Sequence, residues 1–314
     1  MQLPTVHGRH TQPGRPSTLQ SFVSHWLRLA TLIWVAGAIA FTVPRQSIEK
    51  APTPTFLPPM PDAGEGVIAE PQPLAQRLKP LVPFLASQEG MAGMAVVDGH
   101  HQIVMQSEAH RPFVLASVAK LYIMTAYLNL VASENRDLSP DESDLLSDMI
   151  EASDNNAASV LWDRIGRGEG LQRYLASRRL PLVQPAADDT SWGDMQADAV
   201  SLASLLAGLY EGRLLPPDLT ASALHLMSHI IDSQSWGLGV ARGDETPASG
   251  GHSQVYLKNG WYPEQSGWVV NSAGVIVKGP KHYIVVVLTD GQPSFHAGVE
   301  LIETAAAFAA SRLP

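Results

Sequence analysis

The sequence predicts an α+β domain of three layers (α-β-α), with a mainly antiparallel sheet between helices and a helical subdomain inserted between its strands. The prediction rests on element order: a helix and two strands, then a block of helices, then three strands and a last helix. Residues 91–98 and 102–106 also pair as a hairpin across the turn at Gly99-His100-His101. The predicted strands are 91–98, 102–106, 254–258, 267–276 and 282–289, and the predicted helices are 74–87, 117–133, 139–150, 157–165, 171–176, 198–210, 219–231 and 300–311.

Apolar spacing and capping residues support the individual helices. Leu121, Met124 and Leu128 recur at helical spacing after residue 117. Ser139 followed by Pro140 and two acidic residues is typical of a helix start, with a serine cap and proline in the first turn. The helix predicted at 74–87 contains two prolines, which reduce its regularity.

The N-terminal part of the chain predicts a membrane segment and a linker. Residues 1–25 are basic and rich in Pro and Gly, which predicts a disordered cytoplasmic leader; residues 26–43 are apolar; residues 44–73 are proline-rich. The basic flank keeps the N-terminus in the cytosol and places the domain at 74–314 outside the cell membrane. Two interpretations stay open: an uncleaved single-pass anchor, which the long leader favours, or a signal peptide cleaved after Ala38-Ile39-Ala40, which would release a secreted protein.

The composition excludes several classes of function. The formal net charge of −9 gives no indication of a nucleic-acid partner. The absence of cysteine excludes disulfides, thiol catalysis and zinc–thiolate sites. His225 and His229 have a spacing that can hold zinc, but no third ligand is evident nearby, so we predict no metal and no cofactor.

The stretch from Leu115 to Met124 contains the pattern Ser117-x-x-Lys120 at the start of a helix. One helical turn brings both side chains to one face, so the lysine can accept a proton from the serine hydroxyl if its pKa is lowered. The free N–H groups of the first turn favour an oxyanion. A serine cap beside a solvent-facing lysine is the simpler explanation of this pattern taken alone.

Two further motifs follow in the chain. Ser153-Asp154-Asn155 lies at a junction between helices, from which side chains can point into a cleft; a plain helix cap is the alternative. Lys258-Asn259-Gly260 is predicted at the end of a strand, where the lysine can hold a carboxylate and the glycine lets a substrate approach the backbone. An Asn-Gly turn after a strand-end lysine is the alternative there.

Taken together and in this order, the three motifs resemble those of class A β-lactamases and penicillin-binding proteins. The resemblance covers residues 74–314 and includes the last two strands and the C-terminal helix. It implies a serine acyl hydrolase whose substrate is a β-lactam, as in antibiotic resistance, or a peptidoglycan-type peptide. The roles that the resemblance implies are Ser117 as nucleophile, Lys120 as proton acceptor, Ser153 as proton donor to the leaving nitrogen, Asn155, Lys258, Asn259 and Gly260 in substrate binding, and the N–H groups of Ser117 and Trp261 as the oxyanion hole.

The sequence departs from this family in the loop that supplies the deacylating base. Class A enzymes have a Glu there, whereas residues 180–196 of this chain contain only Asp188, Asp189 and Asp194 as acids. Asn259 also replaces the usual Thr or Ser, and the spacing between Ser117 and Ser153 is short. A β-lactamase with Asp188 or Asp189 as substitute base therefore stays open beside a slowly deacylating D,D-peptidase, esterase or penicillin-binding sensor.

Overall fold

The computed structural model describes residues 72–242 and 253–314. The predicted leader, membrane segment and most of the linker lie outside these residues, as does part of the glycine-rich loop before the third long strand. Within the described ranges no helix combines the length and the apolar character needed to cross a bilayer.

Seven strands form two antiparallel sheets. The strands are β1 (Met91–Asp98), β2 (Ile103–Ser107), β3 (Phe113–Val114), β4 (Gln196–Ala197), β5 (Gln254–Glu264), β6 (Gly267–Lys278) and β7 (Lys281–Asp290). Five of them form the sheet at the centre of the domain, in the order β2-β1-β7-β6-β5, which confirms the predicted antiparallel sheet and places β5 at an edge. The short strands β3 and β4 form the second sheet; β3 follows the first hairpin, and β4 lies within the helical block of the sequence.

Helices cover both faces of the large sheet. The helices are α1 (Leu74–Leu78), α2 (Leu81–Ala86), α3 (Lys120–Ser133), α4 (Pro140–Ile150), α5 (Asn155–Arg164), α6 (Arg167–Ser177), α7 (Ala199–Tyr210), α8 (Pro217–Ser228) and α9 (Phe295–Arg312). The helices α1, α2 and α9 bury one apolar cluster with one face of the sheet. A second cluster joins the other face to helices α3 to α8. The three-layer arrangement and the inserted helical subdomain are therefore confirmed.

Several element bounds differ from the prediction, and two of the differences have a clear physical reason. The first helix is divided into α1 and α2, because Pro80 supplies no N–H for a continuous helix. The strand predicted to end at residue 258 continues to Glu264, so Asn259 and Gly260 are strand residues and form no turn. Eleven consecutive pairs with β6 hold this register. Lys258 consequently projects from the middle of an edge strand.

Candidate active site

The predicted nucleophile lies in a single 3-10 turn, Ala116–Ala119, that leads directly into α3. Ala116 has a φ of 49°, a left-handed conformation that costs energy for a residue with a side chain. The surroundings fix it: Leu115 N–H donates to Met195 O at 2.9 Å, and Asn271 Nδ2 donates to Val114 O at 2.8 Å and Leu115 O at 3.1 Å. Ser117 is half-buried and lines a cleft of about 330 Å³.

Lys120 is fully buried one turn after Ser117. Its Nζ donates to Ser153 O at 2.5 Å, Ser153 Oγ at 3.1 Å and Asn155 Oδ1 at 2.8 Å. Burial lowers the pKa of Lys120 to about 7, although the carboxylate of Asp154 acts in the opposite direction. Near neutral pH the amine is therefore present in both its charged and its neutral form, as a proton acceptor requires.

The Ser153-Asp154-Asn155 segment joins α4 to α5, and its three side chains make different contacts. Asp154 caps α5 by accepting from Ala157 N–H at 2.7 Å, and Asn155 orients Lys120. Ser153 has a φ of 61°, a second strained residue at the same place. This conformation turns both its carbonyl and its hydroxyl towards Lys120. The capping alternative thus describes Asp154, while Ser153 and Asn155 face the buried lysine.

Lys258 reaches Ser153 from the opposite side. Its Nζ donates to Ser153 Oγ at 2.9 Å and to Asn259 O at 3.0 Å, and the side chain is only 1% exposed. Burial first, and the nearby Lys120 second, hold the pKa of Lys258 well below that of a free lysine. The hydroxyl of Ser153 accepts from both amines, which leaves its own hydrogen free to be donated.

Gly260 allows β5 to lie directly against the nucleophile turn. A methyl group at this position would be 2.7 Å from the backbone nitrogens of Ser117 and Val118 and 2.9 Å from Leu115 O. Only glycine fits such an approach of two backbones. The contact brings the N–H of Ser117 close to edge strand β5, which carries Trp261, the other predicted contributor to the oxyanion hole.

Asn259 has a different role from the one predicted. Its Nδ2 donates to Gln234 O at 2.8 Å and Trp236 O at 2.9 Å, and the side chain is 1% exposed. Successive strand residues point to opposite faces, so Asn259 points away from the face that carries Lys258 and Gly260. Substrate binding by the Asn259 side chain, which the resemblance implied, does not agree with this burial. Asn259 instead anchors the segment around Gln234.

The loop that would supply a deacylating base holds its acids in other contacts. Asp188 accepts from Thr190 N–H at 3.0 Å and from Thr190 Oγ1 at 2.8 Å. Asp189 accepts from Gly168 N–H at 3.0 Å. Neither residue lines the cleft that contains Ser117, whereas Asp194 does.

Trp192 was not singled out from the sequence, and it covers the buried lysine. Lys120 Nζ lies 5.1 Å from the centroid of an indole ring of Trp192, within the range of a cation–π contact. Its Nε1 donates to Ser159 Oγ at 3.2 Å, which fixes the ring. Only 8% of Trp192 is exposed. One weak signal in the sequence points to Trp192: it is a large aromatic residue in a loop of mostly small and acidic residues.

Several other aromatic and histidine side chains lie in or near the cleft or elsewhere on the helices. Trp261 and Tyr262 line the cleft, while Trp268 packs beside Phe295 with ring centroids 5.9 Å apart. His225 and His229 stack with ring centroids 3.9 Å apart, and His229 Nδ1 lies 2.8 Å from His225 O. No group of three acidic or histidine side chains in the described part of the chain is arranged to hold a metal.

Comparison with known proteins gives one family and one fold. The model of the β-lactamase enzyme family matches residues 138–313, which include Ser153 and Lys258 and begin after Ser117. LppW of Mycobacterium tuberculosis, which is named as a candidate lipoprotein, is 27% identical over 206 residues; the match covers 64% of this chain and 60% of LppW. The same match is found with LppW of Mycobacterium bovis.

Several solved structures share the fold at low sequence identity. A class A β-lactamase of Bacteroides cellulosilyticus superposes with a TM-score of 0.66 and 17% identity over 77% of this chain and 98% of its own. The extended-spectrum β-lactamase TLA-3 has a TM-score of 0.65 and 15% identity, over 74% of this chain and 96% of its own. PBP-A has a TM-score of 0.63 and 18% identity, over 76% of this chain and 95% of its own.

Proposed function

Because the chain belongs to the β-lactamase enzyme family, we propose that it is a serine acyl-transfer enzyme acylated on Ser117 by a β-lactam or a peptidoglycan-type peptide. One observation carries the proposal: Ser153 Oγ accepts hydrogen bonds from Lys120 Nζ at 3.1 Å and from Lys258 Nζ at 2.9 Å. Burying two amines beside one hydroxyl lowers the stability of the folded protein, because each amine must be desolvated. They are well suited to moving protons at a reaction centre.

The acylation step follows from this arrangement. Neutral Lys120 accepts the proton of Ser117 as Ser117 Oγ bonds to the substrate carbonyl carbon. The carbonyl oxygen becomes an oxyanion that the N–H groups of Ser117 and Trp261 stabilise. When the C–N bond breaks, Ser153 gives its proton to the leaving nitrogen and is reprotonated from Lys120. The product of the step is an ester on Ser117; the amine leaves when the substrate is a peptide and stays attached to the acyl group when it is a β-lactam.

Lys258 supports this step through its amine. The amine donates to Ser153 Oγ at 2.9 Å and, when charged, can bind a substrate carboxylate. A carboxylate brought next to Lys258 raises the depressed pKa of the amine towards its ordinary value. Binding of an anionic substrate and charging of Lys258 are therefore linked.

This geometry supports deacylation less well than it supports acylation. Asp188 and Asp189 are engaged with Thr190 and Gly168, and the indole of Trp192 lies over Lys120. These contacts favour slow release of the acyl group, so the proposal is closer to a penicillin-binding protein or D,D-peptidase than to a rapid β-lactamase. Rapid β-lactam hydrolysis is the second candidate, supported by the class A β-lactamases among the structures that share the fold.

We further propose that the enzyme works outside the cytoplasm of a bacterium, tethered through residues 26–43. The apolar run and its basic flank support tethering, and the relative LppW is itself named as a candidate lipoprotein. Deletion of residues 1–43 is expected to move the protein from the membrane to the soluble fraction. A mature protein that begins just after Ala40 would instead show that the segment is a cleaved signal peptide.

Covalent labelling with a fluorescent penicillin tests the nucleophile. The full-length protein is expected to carry the label through denaturing electrophoresis, and Ser117→Ala is expected to carry none. Ser107→Ala serves as a matched control, because Ser107 ends β2 and lies outside the cleft lining. Equal labelling of Ser117→Ala and the unmodified protein would refute the proposed nucleophile.

A further inference from the structure

The cleft that contains Ser117 carries charge of opposite sign at different places. The buried amines of Lys120 and Lys258 converge on Ser153. Among the described residues that line the open part of the cleft, Asp194 is the only one with a charged side chain. The other described lining residues are small, polar or aromatic.

Asp194 belongs to a group of three oxygen-bearing side chains that we call the acidic rim: Asp194, Tyr262 and Glu264. Tyr262 OH lies 2.8 Å from Glu264 Oε1 and 3.3 Å from Asp194 Oδ1. A phenol has one hydrogen to donate, so it cannot satisfy both carboxylates at the same time. The shorter distance favours Glu264, which leaves the carboxylate of Asp194 as an acceptor open to the cleft.

The phenol of Tyr262 adds no charge to the acidic rim. Burial, together with the hydrogen bond and charge of Glu264 and the nearby Asp194, raises the pKa of Tyr262, so the phenol stays neutral and protonated. The only other side-chain partner of the rim among the described residues is Ser266 Oγ, 3.4 Å from Glu264 Oε2. No salt bridge between described residues involves Asp194 or Glu264. Two carboxylates therefore approach the same phenol at the edge of the cleft, and neither forms an ion pair with a cation of the described chain.

We propose that the acidic rim selects acyl donors that carry an ammonium group. An ammonium group offers three N–H donors and no acceptor, which complements the oxygens of Asp194, Tyr262 and Glu264. This inference rests on the proposed function, because it concerns the substrate that acylates Ser117. Since Lys258 is the partner for a carboxylate, the preferred substrate is a zwitterion with its two charges on either side of the reacting carbonyl.

Two sources present this chemistry: a β-lactam with an amine on its side chain, and a peptide with a free amine before its acyl-donating residue. Ampicillin and penicillin G form a matched pair, because they differ by one side-chain α-amino group, which is protonated at pH 7. Carbenicillin carries a carboxylate in the same region and reverses the charge. The peptide pair is Nα-acetyl-Lys-D-Ala-D-Ala and its Nε-acetylated form.

The test measures second-order acylation rates of the full-length protein with the three penicillins at pH 7 and low ionic strength, and release of D-Ala from the two peptides. We expect the rate order ampicillin, penicillin G, carbenicillin. In Asp194→Asn the ratio of ampicillin to penicillin G should fall by roughly two- to five-fold, the size typical of partly exposed charge pairs. Asp194→Asn with Glu264→Gln should remove the preference, and added salt should weaken it.

Glu169→Gln is the matched control, because it removes one exposed carboxylate on α6 that pairs with Arg173. It should leave the ampicillin to penicillin G ratio unchanged. A preference confined to the peptides would show that the natural acyl donor is a peptide amine, and one confined to ampicillin would assign the rim to β-lactam side chains; either result supports selection of an ammonium group.

Acylation by all three penicillins with a ratio that Asp194→Asn and the double variant leave unchanged would overturn this inference alone. Absence of acylation by any penicillin or peptide would overturn the proposed function, and this inference with it.

Discussion

Replacement of Gly260 by alanine should impair acylation far more than it impairs folding. The added methyl group would lie 2.7 Å from the nitrogens of Ser117 and Val118 and 2.9 Å from Leu115 O, where 3.4 to 4 Å is ordinary contact. All three neighbours are backbone atoms, so no side chain can rotate away. Either β5 or the nucleophile turn must therefore move by several tenths of an ångström.

Such a displacement separates the two sides of the oxyanion hole. Overpacking of this kind costs about 1–3 kcal/mol of folding free energy. A displacement approaching 1 Å at reacting groups lowers the rate by about 10²-fold. We expect Gly260→Ala to fold, with a Tm a few degrees lower, and to acylate with penicillin roughly 10²-fold more slowly in a stopped-flow or quenched mass-spectrometric assay.

Gly212→Ala separates the two effects. Gly212 has a φ of 68° and nothing within 4 Å of an added methyl group, so alanine there introduces backbone strain without a steric clash. It should lower the Tm to a similar extent and leave acylation unchanged. An unimpaired acylation rate in Gly260→Ala would refute the claim that close approach of β5 to Ser117 forms the oxyanion hole.

Three further predictions concern Lys120 and its neighbours. Because neutral Lys120 is the base and its pKa is about 7, the acylation rate should rise about tenfold from pH 6 to pH 8; a flat profile would exclude this amine as the base. Asp154→Asn keeps the cap of α5 but removes the charge that raises the pKa of Lys120, so the midpoint of the profile should move to lower pH with little change in Tm; an upward move would contradict the electrostatic assignment. Trp192→Ala should expose Lys120 to water and shorten the lifetime of the acyl-enzyme about tenfold, a fraction of what general-base assistance supplies; a longer lifetime would show that Trp192 does not restrict deacylation.

The fold could be predicted because local pattern and tertiary structure agree along most of the chain. The strand at Met91–Asp98 has the predicted ends, and the capping box at Ser139 and Glu142 starts α4 where Pro140 was expected to start it. The three short motifs could be recognised because each combines reactive side chains with a helix start, a helix junction or a strand. The convergence of Lys120 and Lys258 on Ser153 Oγ could be recognised only from the tertiary structure.

The errors arose where the end of a strand, or a partner distant in sequence, decides which way a side chain points and what it contacts. Ending the strand at Lys258 left an Asn-Gly turn open as the alternative for Asn259, whereas the continuing strand turns the Asn259 side chain to the face opposite Lys258. Asp188 and Asp189 could not be excluded as bases from the sequence, because their partners Thr190 and Gly168 come from a loop and another helix. Asn271 was missed for a similar reason: it holds Leu115 from a strand more than 150 positions away in the chain.

Time-resolved intact-mass spectrometry of the full-length protein with penicillin G tests the central claim most directly. We expect one adduct with the mass of the intact penicillin, and peptide mapping should locate it on Ser117. The adduct should form during the time course and persist after excess drug is removed. An adduct that clears while the drug is consumed would show a true β-lactamase and contradict the slow release inferred from Trp192, Asp188 and Asp189. Absence of any adduct on Ser117, with β-lactam and D-Ala-D-Ala peptide alike, would contradict the acyl-transfer function itself.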